Sequence, residues 1–169
     1  MKKSTMKQWV ILMSTPLLIG SIQYLLAALD AQASWMATVL LVLGMYGGFG
    51  LLLADVEWLH QFYQEPSTQT PEHELFSPKY ITRSALFMLT LFPLTIFILT
   101  STGSSIGMGM LLGILLGLSL EMFSLRSNSV EFQARFLSQV KRPFSAEEIE
   151  WIALLFCGFS ILITLLVVI

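Results

Sequence analysis

Five long apolar runs dominate this chain, and the basic residues between them obey one rule. All nine lysines and arginines fall in three of the connecting or terminal segments. Lys2, Lys3 and Lys7 precede the first run; Lys79 and Arg83 separate the second from the third; Arg126, Arg135, Lys141 and Arg142 separate the fourth from the fifth. The other two connections and the C-terminus carry none. Basic residues beside a span resist transfer across the bilayer and stay on the cytoplasmic side. The pattern therefore predicts five crossings with the N-terminus inside and the C-terminus outside, in a plasma or inner membrane.

A span needs about 20 mostly apolar residues, because the hydrocarbon core is about 30 Å thick and a helix rises about 1.5 Å per residue. The expected spans are residues 9–29, 35–54, 84–99, 106–123 and 151–169. The cytoplasmic loops are then 55–83 and 124–150, and the chain forms a single membrane domain over 1–169. Short turns at Asp30–Ser34 and Ser101–Ser105 predict two antiparallel hairpins of the same orientation, closed by a fifth helix. The fold class expected is an all-α polytopic transmembrane bundle.

Composition agrees. Hydrophobic residues make up 55% of the chain and charged residues 12%, against about 25% charged in an average soluble domain. A net charge of −2 argues against nucleic acid as a partner, since such binders carry a basic excess. Cys157 is the only cysteine, so an intrachain disulfide is excluded. Ala31-Gln32-Ala33 fits a small-x-small cleavage site after a basic start. The apolar run Trp9–Leu29, however, exceeds the about 7–15 residues of a signal-peptide core, and retention of this span is expected.

The cytoplasmic segments carry local signals. Ser145 and Glu148 form a capping box, with Phe144 and Ile149 as its hydrophobic staple, so the fifth helix should begin before Trp151. Ser77-Pro78 reads as the lead-in to the third helix. Val130–Arg142 reads as an amphipathic helix stopped by Pro143, with Phe132, Phe136 and Val140 along one side. Phenylalanines with flanking cations suit a helix lying in the membrane interface, and equally one packed beneath the bundle. Residues 64–80, with Pro66, Pro71 and Pro78, read as a surface segment.

The fourth run holds the most regular motif. Ser105, Gly109, Gly113, Gly117 and Glu121 repeat every four residues and share one face of a helix. Glycines in such a row strip the face of side chains and let another backbone approach closely. In the second run Gly44 and Gly48 form a second row, with Asp55 close to the same face. The Gly-x3-Gly-x3-Gly-x3-acid run resembles one helix of the small multi-pass cell-shape proteins of the MreD type. It matches that single helix and implies no function here.

Candidate functional residues are sparse. Asp55 and Glu121 would sit at the inner ends of their helices, where carboxylates can bind cations, relay protons or simply pair with Arg83, Arg126 or Lys79. Glu57 and His60 form an ExxH, a spacing that places two ligands on one helical face, but no second ExxH exists. No metal or cofactor is expected. Gln23 could bond to a neighbouring helix, and Thr90, Thr95 and Thr100 could satisfy carbonyls freed by Pro93. Three classes remain open: a non-catalytic subunit or scaffold bound to a membrane partner or to copies of itself, a small oligomeric transporter or channel, and a lipid-acting interfacial enzyme using Asp55, Glu57, His60 and Glu121. The first fits best, and enzyme activity is disfavoured.

Overall fold

The structure is a computed structural model that describes the backbone of residues 3–29, 34–62, 82–101, 103–137, 140 and 142–168. Side chains are described for 11, 13–28, 34–52, 82–101, 103–137, 140 and 142–167. The possible cleavage site Ala31–Ala33, Ser77-Pro78 and Lys141 lie outside the described residues.

Within them the chain is all-helical: α1 (Lys3–Leu29), α2 (Trp35–Phe62), α3 (Ala85–Ser101), α4 (Ser105–Leu125), α5 (Ser129–Phe136) and α6 (Ala146–Val168). Three helices contain stretches long and apolar enough to cross a membrane, Trp35–Leu52, Ser105–Leu125 and Ala146–Val167. Met13–Ala28, within α1, and Ala85–Ser101 are shorter apolar stretches among the described residues.

The helix starts follow from local chemistry. An N-cap side chain satisfies backbone N–H groups that have no helical acceptor. Ser34 accepts from Ala37 N at 3.4 Å, Ser84 from Phe87 N at 3.1 Å, and Ser104 from Gly107 N at 3.4 Å. At α6 the box is reciprocal: Ser145 N donates to Glu148 Oε2 at 2.9 Å, and Glu148 N donates to Ser145 Oγ at 3.2 Å. Ile149 is fully buried and Phe144 packs on the same apolar cluster. Ser84 caps α3.

Two expectations need correction. The helix expected over Val130–Arg142 is only Ser129–Phe136, capped by Asn128 and ended at Leu137. Leu137 turns inward and is buried, as are Phe132 and Phe136, whereas Val130 is 79% exposed. The two phenylalanine rings lie 5.1 Å apart and are covered by the bundle, and the helix ends directly after the second of them. Second, the threonines do not reach Leu89 O, the carbonyl four residues before Pro93. Thr90 bonds Phe87 O at 2.8 Å, Thr95 bonds Leu91 O at 2.6 Å, and Thr100 bonds Ile96 O at 2.8 Å.

α4 is the centre of the molecule. Leu112, Leu115, Leu118 and Met122 are fully buried, and α2, α6, α3 and α5 all contact it. Its most extensive neighbour is α2, the helix from the other hairpin. Successive contacts pair Leu41 with Gly109, Met45 with Gly113, and Leu52 with Gly117. Both numbers rise together, so α2 and α4 run parallel. α1 packs on α2, where the Tyr46 hydroxyl donates to Met13 O at 2.8 Å, three residues before the Pro16 interruption. A groove of about 380 Å³ lies beside this contact, lined by residues that include Leu17, Ser21, Tyr24, Thr38 and Val42.

Candidate functional site

The two glycine rows identified in the sequence fill each other. A Cβ on Gly44 would collide with the Ile106 carbonyl oxygen and lie 2.9 Å from Met110 N; one on Gly48 would collide with Met110 O and lie 3.1 Å from Gly113 Cα. From the other side, a Cβ on Gly109 or Gly113 would lie 3.0 Å from Leu41 Cα or Met45 Cα. In each case the obstacle is backbone, which cannot swing aside. At Gly117 the nearest atoms are instead side-chain ends, Leu52 Cδ1 at 2.5 Å and Phe49 Cδ1 at 3.1 Å. The row thus grades from backbone contact to side-chain contact as it approaches Glu121.

Glu121 stands at the end of that row and joins four elements. Arg83 Nε donates to Glu121 Oε2 at 2.7 Å and to Oε1 at 2.9 Å. Arg83 Nη1 also reaches the Leu52 carbonyl of α2 at 3.4 Å. Arg135 Nη1 donates to Glu121 Oε1 at 2.9 Å, while its Nη2 donates to Glu131 Oε1 at 2.8 Å. Asn128 Nδ2 then donates to Glu131 Oε2 at 3.1 Å.

Local structure explains this convergence. The Ser84 cap holds Arg83 immediately before α3. The turn after α4, closed by Asn128 N donating to Leu125 O at 2.9 Å, folds α5 back so that Arg135 meets Glu121. The Arg83 side chain is 6% exposed and that of Glu121 19%. Two cations and two anions balance in charge, as groups removed from water require. What this arrangement does chemically is tie α3, α4 and α5 together and touch α2. Glu121 has its oxygens filled by guanidinium donors.

Asp55, Glu57 and His60 lie on the last turns of α2, which extends two turns past Ala54; their side chains fall outside the described residues. Because α2 and α4 are parallel, the backbone at Asp55 lies toward the same end of the pair as Glu121. No group of three histidine, cysteine or acidic side chains converges among the described residues.

A second polar contact was not anticipated. Ser119 Oγ and Ser160 Oγ lie 2.6 Å apart in the buried seam between α4 and α6. Each also bonds a carbonyl of its own helix, Ser119 to Leu115 O at 2.7 Å and Ser160 to Phe156 O at 2.9 Å. Cys157 Sγ donates to Ser119 O at 3.5 Å. The signal was the run Cys157, Ser160 and Thr164, small polar residues three and four apart on an otherwise apolar helix. Gln23, by contrast, makes no cross-helix bond through its amide oxygen, which is buried with no partner among the described residues.

No protein-family model matches the chain, and neither a curated protein nor a solved structure is detectably similar to it.

Proposed function

We propose that this chain is a five-span protein of the cell membrane, with its N-terminus and basic connections inside, that serves as a non-catalytic subunit or scaffold. The observation that carries the reading is how α4 is occupied. Its glycine row is filled by α2, with backbone at Gly109 and Gly113 and side chains at Gly117, its acid by two arginines, and its serine by α6. These are the small and polar groups on which a transport path or an interfacial active site would draw, and here they hold helices together. A rigid bundle with an apolar exterior follows.

That exterior suits a partner in the bilayer. α3 turns Leu86, Leu89, Ile96 and Phe97 outward, each more than half exposed, and buries only Met88, Leu91 and Thr95. Such a helix rests against lipid, against a partner's helix or against a second copy. Association of this kind depends on packing rather than on the hydrophobic effect, because lipid tails are as apolar as leucine.

Affinity purification in a mild detergent tests the proposal. A stoichiometric membrane partner or a defined homo-oligomer is expected. A clean monomer that by itself restores the phenotype of a deletion strain would overturn it.

A further inference from the structure

We infer that Arg126, at the C-terminal end of α4, is a docking point for the phosphate headgroup of an anionic membrane lipid. The inference rests on the membrane reading above and specifies one lipid contact within it. Arg83 and Arg135 are held by Glu121, and Arg142 by Glu148. Among the described residues Arg126 has no carboxylate partner; its guanidinium lies 3.9 Å above the centre of the Phe123 ring.

A guanidinium seated over a ring still has N–H donors that the ring does not occupy. Those donors match two oxygens of a phosphate, a geometry that a planar fork satisfies bidentately. The neighbourhood fits a leaflet boundary. Phe123 is 45% exposed and Val130 79% exposed, while Ser127 and Asn128 between them are polar and exposed. An arginine at the end of a span reaches outward in this way, with its stem and platform in hydrocarbon and its donors among headgroups. A zwitterionic headgroup carries its own ammonium, which competes for the phosphate. An anionic headgroup without an amine, such as phosphatidylglycerol, has no such competitor, and it is the one Arg126 selects.

The test uses the full chain purified in mild detergent and offered phosphatidylglycerol or phosphatidylcholine with identical acyl chains, with bound lipid counted by native mass spectrometry. The wild type should retain phosphatidylglycerol preferentially. Arg126→Gln should weaken that retention about fivefold, the effect of one basic side chain at an anionic leaflet, and Arg142→Gln should leave it unchanged. Phe123→Leu, which keeps the charge and removes the platform, should fall between them and serves if Arg126→Gln does not fold. Excess inorganic phosphate should not displace the lipid. Equal retention by wild type and Arg126→Gln, equal loss in Arg142→Gln, or displacement by inorganic phosphate would each overturn the assignment. If the chain is extracted from membranes by alkaline carbonate, the membrane reading itself fails; if it stays and the lipid preference is absent, only this inference does.

Discussion

Gly48 of α2 and Gly113 of α4 face each other so closely that a methyl group on Gly48 would lie 3.1 Å from the Gly113 Cα. No side chain intervenes, so the two helices meet backbone to backbone. The contact lies on the seam where α2 and α4 run parallel, and Glu121 is held at the far end of that seam.

Substitutions along the glycine row should therefore be graded. Gly113→Leu should cost about 3 kcal/mol or more, since overpacking against backbone forces the helices apart. Gly117→Ala should cost less, because the ends of Leu52 and Phe49 can move. Gly158→Ala, with nothing within 4 Å of the added methyl, should stay within about 0.5 kcal/mol. Equilibrium unfolding in mixed micelles measures all three, and equal losses would contradict the backbone contact.

The ion network should be uneven in strength. Arg83 is nearly buried on Glu121, whereas the Arg135 and Glu131 side chains are 36% and 41% exposed. A double-mutant cycle should give a coupling of about 1–3 kcal/mol for Arg83 with Glu121. The Arg135–Glu131 pair should give under about 1 kcal/mol, as exposed pairs do. Raising salt should weaken the second coupling more than the first.

Removing either hydroxyl of the Ser119–Ser160 pair should cost little. Hydrogen bonds between membrane helices average about 0.6 kcal/mol, and each serine also bonds a carbonyl of its own helix. Ser119→Ala and Ser160→Ala should each lose under about 1.5 kcal/mol, and the double variant less than the sum. Ser160→Leu should lose more, through overpacking of a site 1% exposed. The same micelle unfolding assay separates these cases.

The capping box predicts a local effect. Ser145→Ala should destabilise the start of α6 by about 1 kcal/mol. Hydrogen exchange should accelerate at the amide of Glu148 while the α2–α4 core stays protected. Acceleration throughout the bundle would show that the cap does more than hold its own helix.

Threading can be read with a membrane-impermeant maleimide in a Cys157→Ser background. Ser34→Cys should be modified in intact cells, and Ser127→Cys only after the membrane is opened. The reverse pattern would invert the topology.

Much of this was legible from residues alone. Runs of apolar residues predict helices because the backbone must satisfy its own hydrogen bonds away from water, and the Ser145–Glu148 box is visible because its partners sit three residues apart. The sequence also marked Gly44, Gly48, Gly109 and Gly113 as places where a backbone could come close. It misjudged the segment after Val130, because the end of α5 depends on Phe136 and Leu137 turning under the bundle, which no local pattern records.

What the chain by itself determined is where the long apolar helices run, that Ser145 and Glu148 cap the last of them and which faces are bare, since all of these depend on neighbours within a turn or two. Tertiary structure alone decided who fills the bare faces. A glycine row permits an approach without naming the helix that makes it, and α2 and α4 meet directly although α3 lies between them in the chain. Glu121 likewise had several basic residues to choose from. Arg83 and Arg135 reach it because the Ser84 cap and the turn at Asn128 bring them there, and charges leaving water must be paired by whichever groups the packing delivers.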